Sequence, residues 1–438
     1  MILKTETNKE IVPLKPYWGE IKDPVHGYVY ITQTEKKLID SYPVQRLRRL
    51  RQLAGSEFVY SGANHTRFEH CLGVMHLAGK LAENQNLSIL LSEDEVQLIR
   101  MGCLLHDVGH GPFSHVFEHL LVKFLNKTHE DMTRWLIQES ELKDIINSIG
   151  FKADDVAKLA VGKLRRPKRA FLDQVIQSGV DIDKLDFVVR DTYHTGAEYG
   201  YVDIFRLIHM MDVLDENLAV DVGALSALES FVLARLESFR SIYFHRVGRA
   251  AQIMLAMAME EAKDELGLIE FDSPEDYLDL TDYTVWTKLR ECKKSKKIMY
   301  NLERRNLLKC AYDRTFHVKD KMVPSIFCVD EVRDQVRNKI ASEAGIKPES
   351  IVIDVPTVPS VPYHHSDLLE PMEIPVFQKT RTGKKIPLRL SDISSVFDVL
   401  KGFINILRVY TDEKNVNRVS IAATNIIGGT PSSAKISF

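Results

Sequence analysis

The stretch Leu104-Leu105-His106-Asp107-Val108-Gly109-His110-Gly111-Pro112-Phe113-Ser114-His115 constrains this chain more than any other. A His and an Asp stand side by side, and His110 and His115 follow closely. Leu104, Leu105, Val108 and Phe113 are core-like, and charged or imidazole groups inside such an apolar segment are costly unless paired or metal-bound. Met101 to Asp107 reads as the end of an apolar helix. His106 and Asp107 diverge there by about 100°, yet both can reach one metal at a helix end. Gly109, Gly111 and Pro112 break the helix. That leaves His110 and His115 on a turn or a new short helix over the same spot. Imidazole together with carboxylate suits Zn, Fe or Mn. Eight of the fifteen histidines fall between His65 and His129, a density that a solvated helix face does not need.

A chain of 438 residues exceeds one ordinary core, so two or three lobes are expected. The net charge of -3 argues against a general nucleic-acid binder. Five cysteines, odd in number and without paired metal-ligand spacing, read as reduced thiols of a cytoplasmic protein. The N-terminus lacks the apolar run of a signal peptide, and no stretch is long and apolar enough to span a membrane.

Tyr17 to Ile31 alternates as a small hairpin does, with Asp-Pro and His-Gly as turn signals. From Thr34 the apolar spacing turns helical. Arg46, Arg48, Arg49 and Arg51 then form a basic face, either solvated or built for phosphate. Phe68 to Ala82 is an amphipathic helix with His70 near its start, where a His is more often a cap or core residue than a ligand. Ser92 with Glu95 forms the capping box of a helix running to Asp107. Val116 to Leu125 and residues 130 to 180 continue as helices, with a solvated basic loop over 163–169. In Gly179 to Asp191, four acidic residues interrupt an apolar run. If helical, it puts Asp183, Phe187 and Asp191 on one face, as candidates for a buried site. Alternatively, Asp186 and Asp191 pair with Lys184 and Arg190. Ala224 to Glu261 is one long helical region, and 272 to about 315 is helical and polar. From about 346 the composition shifts. Ile351–Val355, Ile374–Phe377 and Arg418–Ala422 read as strands and Ile393–Tyr410 as a helix, in a small α+β lobe. Pro356 to Pro362 is a connection, and the tail after Ile427 is expected to be mobile.

His70, then His106 with Asp107, then Asp183 gives an H…HD…D order. This resembles the HD-domain metal phosphohydrolases, and in particular their deoxynucleoside triphosphate triphosphohydrolase branch. Asp23-Pro-Val-His-Gly27, Arg46-Leu-Arg48, Gln52-Leu53 and His65-Thr-Arg-Phe-Glu-His70 carry the resemblance. So do the 106–115 stretch, Thr128-His129-Glu130, Asp181-Ile-Asp-Lys184, Arg190-Asp191, and Tyr243 with His245. These run collinearly over roughly residues 18 to 310, while the last hundred resemble the family only loosely. The resemblance implies a mainly α chain: a flexible arm over 1–15, an HD helical bundle over 16–270, a helical extension over 271–345, and the α+β lobe over 346–438. It also implies cleavage of a dNTP at the α-phosphate into deoxynucleoside and inorganic triphosphate. His70, His106, Asp107 and Asp183 would hold a divalent transition metal (Fe, Mn, Zn and Ni are not distinguished), with Mg²⁺ a candidate companion on the phosphates. His115 matches the family's proton donor, and Glu118 stands where an Asp orients that His. His110 and His129 match further active-site histidines. Arg67, Lys184 and Arg235 match phosphate-binding positions, which a triphosphate needs in number. Gln52 and Leu53 match residues that hold the 3′-hydroxyl and pack on the sugar, and Asp191 and Tyr243 match other sugar contacts.

Asp40, Gln45 and Arg48 match residues that read guanine in the family's activator pocket, which implies a GTP or dGTP site. A homo-oligomer, dimer or tetramer, is implied in the same way. Four positions depart from the family. Phe187 replaces a substrate-contacting Tyr. Phe239 and Phe244 replace a His and a Gln near the base. Gly19 stands where a Lys would touch activator phosphate. A second activator pocket falls near Ile204, Ile208 and Leu225, with Arg206 one short slip away. The alternative readings are another HD phosphohydrolase, acting on nucleoside monophosphates or nucleic-acid ends, and a nucleotide sensor whose site turns over weakly.

Overall fold

The Arg67–Ala82 helix is the axis of the molecule, and all but two of its sixteen residues are buried. A helix buried on nearly every side must be surrounded, which corrects the expectation of an amphipathic one. Here the Glu93–Leu105 and Ile182–Thr195 helices and the N-terminal hairpin do so. The structure is a computed structural model and describes residues 16–318, 329–356, 374–399 and 403–428. The expected N-terminal arm, the connection beyond Pro356 and the tail after Gly428 lie outside the described residues. Among the described residues no helix is long and apolar enough to cross a membrane. Cys71, Cys103, Cys292 and Cys310 are free thiols.

The hairpin pairs Tyr17–Asp23 with Gly27–Thr32 and turns through Asp23, whose carboxylate accepts from the amides of Val25 and His26. Val29 and Ile31 face inward while Tyr28 and Tyr30 face out, the period-two pattern of a half-buried ribbon. Thr32 and Glu35 form a capping box, and buried Glu35 pairs with Arg100 of the Glu93–Leu105 helix through Nε at 2.5 Å and Nη2 at 2.8 Å. Arg46 corrects the expected basic face. It is fully buried and donates to the carbonyls of His110 at 2.8 Å and Leu280 at 2.7 Å, so it ties loops together. Arg48 and Arg49 do face outward.

The Ser92–Glu95 capping box starts its helix as expected, and His106 caps the other end. Phe113 and Ser114 then adopt left-handed φ values of 58° and 55°, uncommon for such residues. The Phe113 amide donates to Asp282 and the Ser114 hydroxyl to the Arg51 carbonyl, which offsets the strain. The His115–Leu120 helix begins immediately after. The expected continuous helix over 224–261 is broken. Leu225–Ser238 passes into a wider turn at Phe239–Tyr243, and a new helix starts at Arg246 with His245 as its cap.

The C-terminal half corrects three further expectations. Lys309–Val318 is a strand, which ends the helical run of 272–315 early. The 393–410 helix is instead a short helix at Ser395–Val399 followed by the strand Phe403–Thr411. Arg418–Ala422 lies in the Val416–Ile427 helix, not in a strand. The Phe403–Thr411 strand is central, flanked antiparallel by Lys309–Val318 and Ile351–Asp354. Central strands carry unbroken apolar runs that periodicity cannot tell from a buried helix. In the last helix, Val419, Ala422 and Ala423 are buried at helical spacing while Ile421 is exposed, a pattern that five residues cannot reveal. A second sheet joins Met211–Leu214, Asn217–Asp221 and Lys385–Leu388, all missed in sequence, to Val376–Lys379, which overlaps the expected Ile374–Phe377 strand.

Gly73 lets the Ile182–Thr195 helix approach the axis. A Cβ there would overlap the side chains of Asp186 and Arg190. Gly73→Ala is expected to lower stability by about 1–3 kcal/mol in chemical denaturation. Gly19→Ala, which opens onto empty space, is the neutral control.

Candidate active site

Two helix starts and one helix end bring the polar cluster together. His70 comes from the first turn of the Arg67–Ala82 helix, His106 and Asp107 from the end of Glu93–Leu105, and Asp183 from the first turn of Ile182–Thr195. One ligand atom from each of His70, His106 and Asp183 lies within 4.8 Å of the others. Asp183 Oδ1 is 3.0 Å from His70 Nε2 and 3.6 Å from His106 Nε2. Asp107 borders the same centre, 3.3 Å from His106 Nε2 and 3.7 Å from His70 Nε2.

This donor set fits a divalent cation. His106 Nδ1 donates to the Cys103 carbonyl at 2.8 Å, which turns Nε2 toward the cluster. That buried Nε2 has no hydrogen-bond partner. His70 Nδ1 donates to Asp186 at 2.8 Å and likewise presents Nε2. Backing partners of this kind fix tautomer and ring orientation in metal-ligating histidines. Burial presses the His70 imidazole down, but its bonds to Asp183 and Asp186 outweigh this and lift it to about 10. His106 is also held well above its ordinary value, the charge of Asp107 overcoming burial. Burial pushes Asp183 up, yet the adjacent His106 and His70 imidazoles hold it below the usual carboxylate range.

A second cluster adjoins the first. The Arg67 guanidinium donates to Asp107 and, through Nε at 2.7 Å, to Ser114 Oγ. Its Nη2 is 3.3 Å from His115 Nε2. His115 Nδ1 donates to Glu118 at 2.9 Å, and His129 Nδ1 donates to the other oxygen of the same carboxylate at 2.5 Å. His110 stacks on His129 with ring centroids 4.1 Å apart and is fully buried; its nitrogens make no hydrogen bond, and Nε2 is 3.4 Å from Asp107 Oδ1. Burial, with Arg67 and His129 nearby, holds the imidazole well below its ordinary value. Burial also lowers His115, against the pull of Glu118, and Glu118 itself stays well below its usual range beside the two histidines.

On a third side, Asp191 is held by His65 at 2.8 Å and by the Tyr243 hydroxyl at 2.5 Å, so it does not pair with Lys184. Lys184 reaches Asp181 at 2.5 Å, and Asp186 pairs with Arg190 at 2.8 Å. Leu53 packs with Ala63, Ile242, Tyr60, Tyr199 and Tyr243. The buried Oε1 of Gln52 has no partner. Arg235 lies over the Phe239 ring. Phe239 and Phe244 pack on Ile406 of the C-terminal lobe, and Phe187 stands edge-on to Tyr243. Asp40, Gln45 and Arg48 lie on the outer face, with Arg48 Nε donating to Gln45 at 2.9 Å. Sequence reading passed over His65 as a holder of Asp191, and His26 and Asp186 as the backing of His70. Their signal was present only as motif neighbours.

Because the surrounding carboxylates favour the protonated forms of His70 and His106, metal uptake is expected to displace protons. Titration calorimetry in buffers of different ionisation enthalpy is expected to show proton release on metal binding. Affinity should weaken as pH falls, and His106→Ala should abolish stoichiometric binding.

An HD domain model matches residues 67–192, and a model of the HD associated region matches residues 202–435. The chain is similar to the deoxynucleoside triphosphate triphosphohydrolase SAMHD1 homolog of Dictyostelium discoideum, 32% identical over 310 residues, covering 66% of this chain and 59% of that one. The chain thus spans less than two thirds of that relative's length. It is also similar to deoxynucleoside triphosphate triphosphohydrolase SAMHD1 of Homo sapiens, 26% identical over 458 residues, covering 92% of this chain and 71% of that one. A crystal structure of a hypothetical protein from Aquifex aeolicus superposes with a TM-score of 0.74 at 27% identity, covering 92% of this chain and 99% of that one. With the H…HD…D residues gathered on one centre, the chain belongs to the HD-domain family, its HD domain followed by the HD associated region.

Proposed function

We propose that the chain hydrolyses deoxynucleoside triphosphates at the α-phosphate, releasing a deoxynucleoside and inorganic triphosphate. The observation that carries this reading is the reach of Arg67, whose guanidinium touches both Asp107, at the rim of the cation centre, and His115. A proton donor thus stands beside the phosphoryl-activating centre, as cleavage to an alcohol requires. In this reading His70, His106, Asp107 and Asp183 hold a divalent metal, which supplies Lewis acidity toward a phosphoryl oxygen.

His115 keeps Nδ1–H on Glu118 and turns Nε2 toward the substrate side. A triphosphate brings negative charge beside Arg67, and that charge favours the imidazolium. Glu118 stabilises this cation, and His115 gives its Nε2 proton to the departing 5′ oxygen. His110 offers its nitrogens to the attacking water or a phosphate oxygen, with His129 stacked against it. Arg67, Lys184 and Arg235 bind the triphosphate. The Gln52 carbonyl accepts from the 3′-hydroxyl, Leu53 packs on the sugar, and Asp191 with Tyr243 closes that side. Asp40, Gln45 and Arg48 form a guanine-nucleotide site on an oligomer surface.

Product analysis tests this. Each dNTP is incubated with Mn²⁺ or Mg²⁺, with and without GTP, and products are separated by anion exchange. Deoxynucleoside and triphosphate are expected. Asp183→Ala should lose turnover, and His115→Asn should lower kcat by about 10²- to 10⁴-fold. Orthophosphate or nucleoside monophosphate would overturn the reading in favour of another phosphohydrolase. Tight binding without product at full metal occupancy would make the chain a sensor.

A further inference from the structure

The C-terminal lobe touches the HD bundle at the wide turn that carries Tyr243. Arg408, on the central strand Phe403–Thr411, is only 6% exposed. Its Nε pairs with Asp313 of the neighbouring strand at 3.0 Å, and its Nη1 donates to the carbonyl of Phe244. Phe244 ends the Phe239–Tyr243 turn, and its amide donates back to the Phe239 carbonyl at 2.9 Å. Ile406, two residues before Arg408, packs on Phe239 and Phe244, with Tyr243 against the same cluster. Beyond the turn, the Tyr410 hydroxyl donates to the Arg246 carbonyl at 2.9 Å, and Arg249 forks onto Asp354 at 2.7 and 3.2 Å. From the bundle side, the Tyr60 hydroxyl donates to the Ser241 carbonyl at 2.6 Å. The turn is therefore gripped from both sides.

Tyr243 is one residue from the gripped carbonyl. Its hydroxyl reaches Asp191, whose other oxygen is taken by His65, and His65 stacks on His194 at 4.4 Å. A wide helical turn has poorer internal hydrogen bonding than a regular helix and is easily re-registered. A buried guanidinium already committed to Asp313 is a stiff anchor for it, because moving the carbonyl away leaves a charge short of a partner.

We propose that Arg408 is a positioning residue: by clamping the Phe244 carbonyl it keeps Tyr243 in register with Asp191, so the C-terminal lobe completes one wall of the nucleotide pocket. This rests on the reading of Tyr243 and Asp191 as substrate contacts. Lysine at this position keeps the charge but cannot bridge Asp313 and the carbonyl with two fixed donors.

The test uses Arg408→Lys and Arg408→Met in the full chain, each compared with Tyr243→Phe and with the double variants. Hydrogen–deuterium exchange of the 239–245 segment is read first and needs no substrate. Faster exchange there, with the 67–82 helix unchanged, is expected in both variants. Unchanged exchange overturns the clamp. Steady-state hydrolysis is read second. KM for dNTP should rise about tenfold with kcat changed less, as expected when a binding contact is lost. Inhibition by inorganic triphosphate, which does not use the sugar wall, should be unaltered. The double variant should be no worse than Tyr243→Phe alone. Additive losses, or a fall in thermal stability with KM intact, overturn the proposal. If wild type turns over no dNTP, the functional reading fails by itself, and the exchange result still decides whether Arg408 holds the turn.

Discussion

The interior of this protein depends on one carboxylate. Asp186 is fully buried and receives His26 at 2.6 Å, His70 at 2.8 Å, and Arg190 at 2.8 and 3.0 Å. Arg190 also reaches Asp23, at the turn of the hairpin. An isolated charge at this depth would be prohibitive, and only a full complement of donors makes it tolerable. The complement comes from three places: the hairpin turn, the axial helix and the Ile182–Thr195 helix itself. They can be satisfied together in only one arrangement. That arrangement presents His70 and Asp183 to the same point in space. The candidate metal-binding cluster is thus a by-product of how the interior solves its electrostatics.

Arg67 extends the same logic outward. It is buried at the start of the axial helix and shared among Asp107, Ser114 and His115. The strained pair Phe113–Ser114 exists where it does because the chain must leave the helix end at Asp107 and present His115 within a few residues. Backbone strain held by hydrogen bonds near a reactive centre gives rigid placement. The outer arginines on the preceding segment have no such role, and Arg46, which looked like their companion, staples loops from within.

The gathering of His70, His106, Asp107 and Asp183 was legible in the sequence because its chemistry is local: polar residues inside apolar segments cannot be neutral choices. The 67–82 and 93–105 helices were legible from apolar spacing and a capping box. What was hidden was hidden for physical reasons. His65 and Asp191 are far apart in sequence, and nothing in either neighbourhood specifies the other. The break at Phe244 is invisible to a 3.6-residue period because the residues on either side keep it. The central strand of the C-terminal sheet is mostly apolar and reads as a helix. The Met211–Asp221 ribbon is short, and its partner strand lies far along the chain.

That last feature bears on how the chain is made. Asn217–Asp221 pairs in parallel with Val376–Lys379, with Val220 opposite Val376. At a synthesis rate of about 5–20 residues per second, the first strand is made roughly 8–30 seconds before its neighbour exists. Until then its backbone edge is open, and an open edge invites pairing with other chains. The nascent bundle is therefore most exposed to misassembly during the interval in which the HD domain is complete but the lobe that covers it is not.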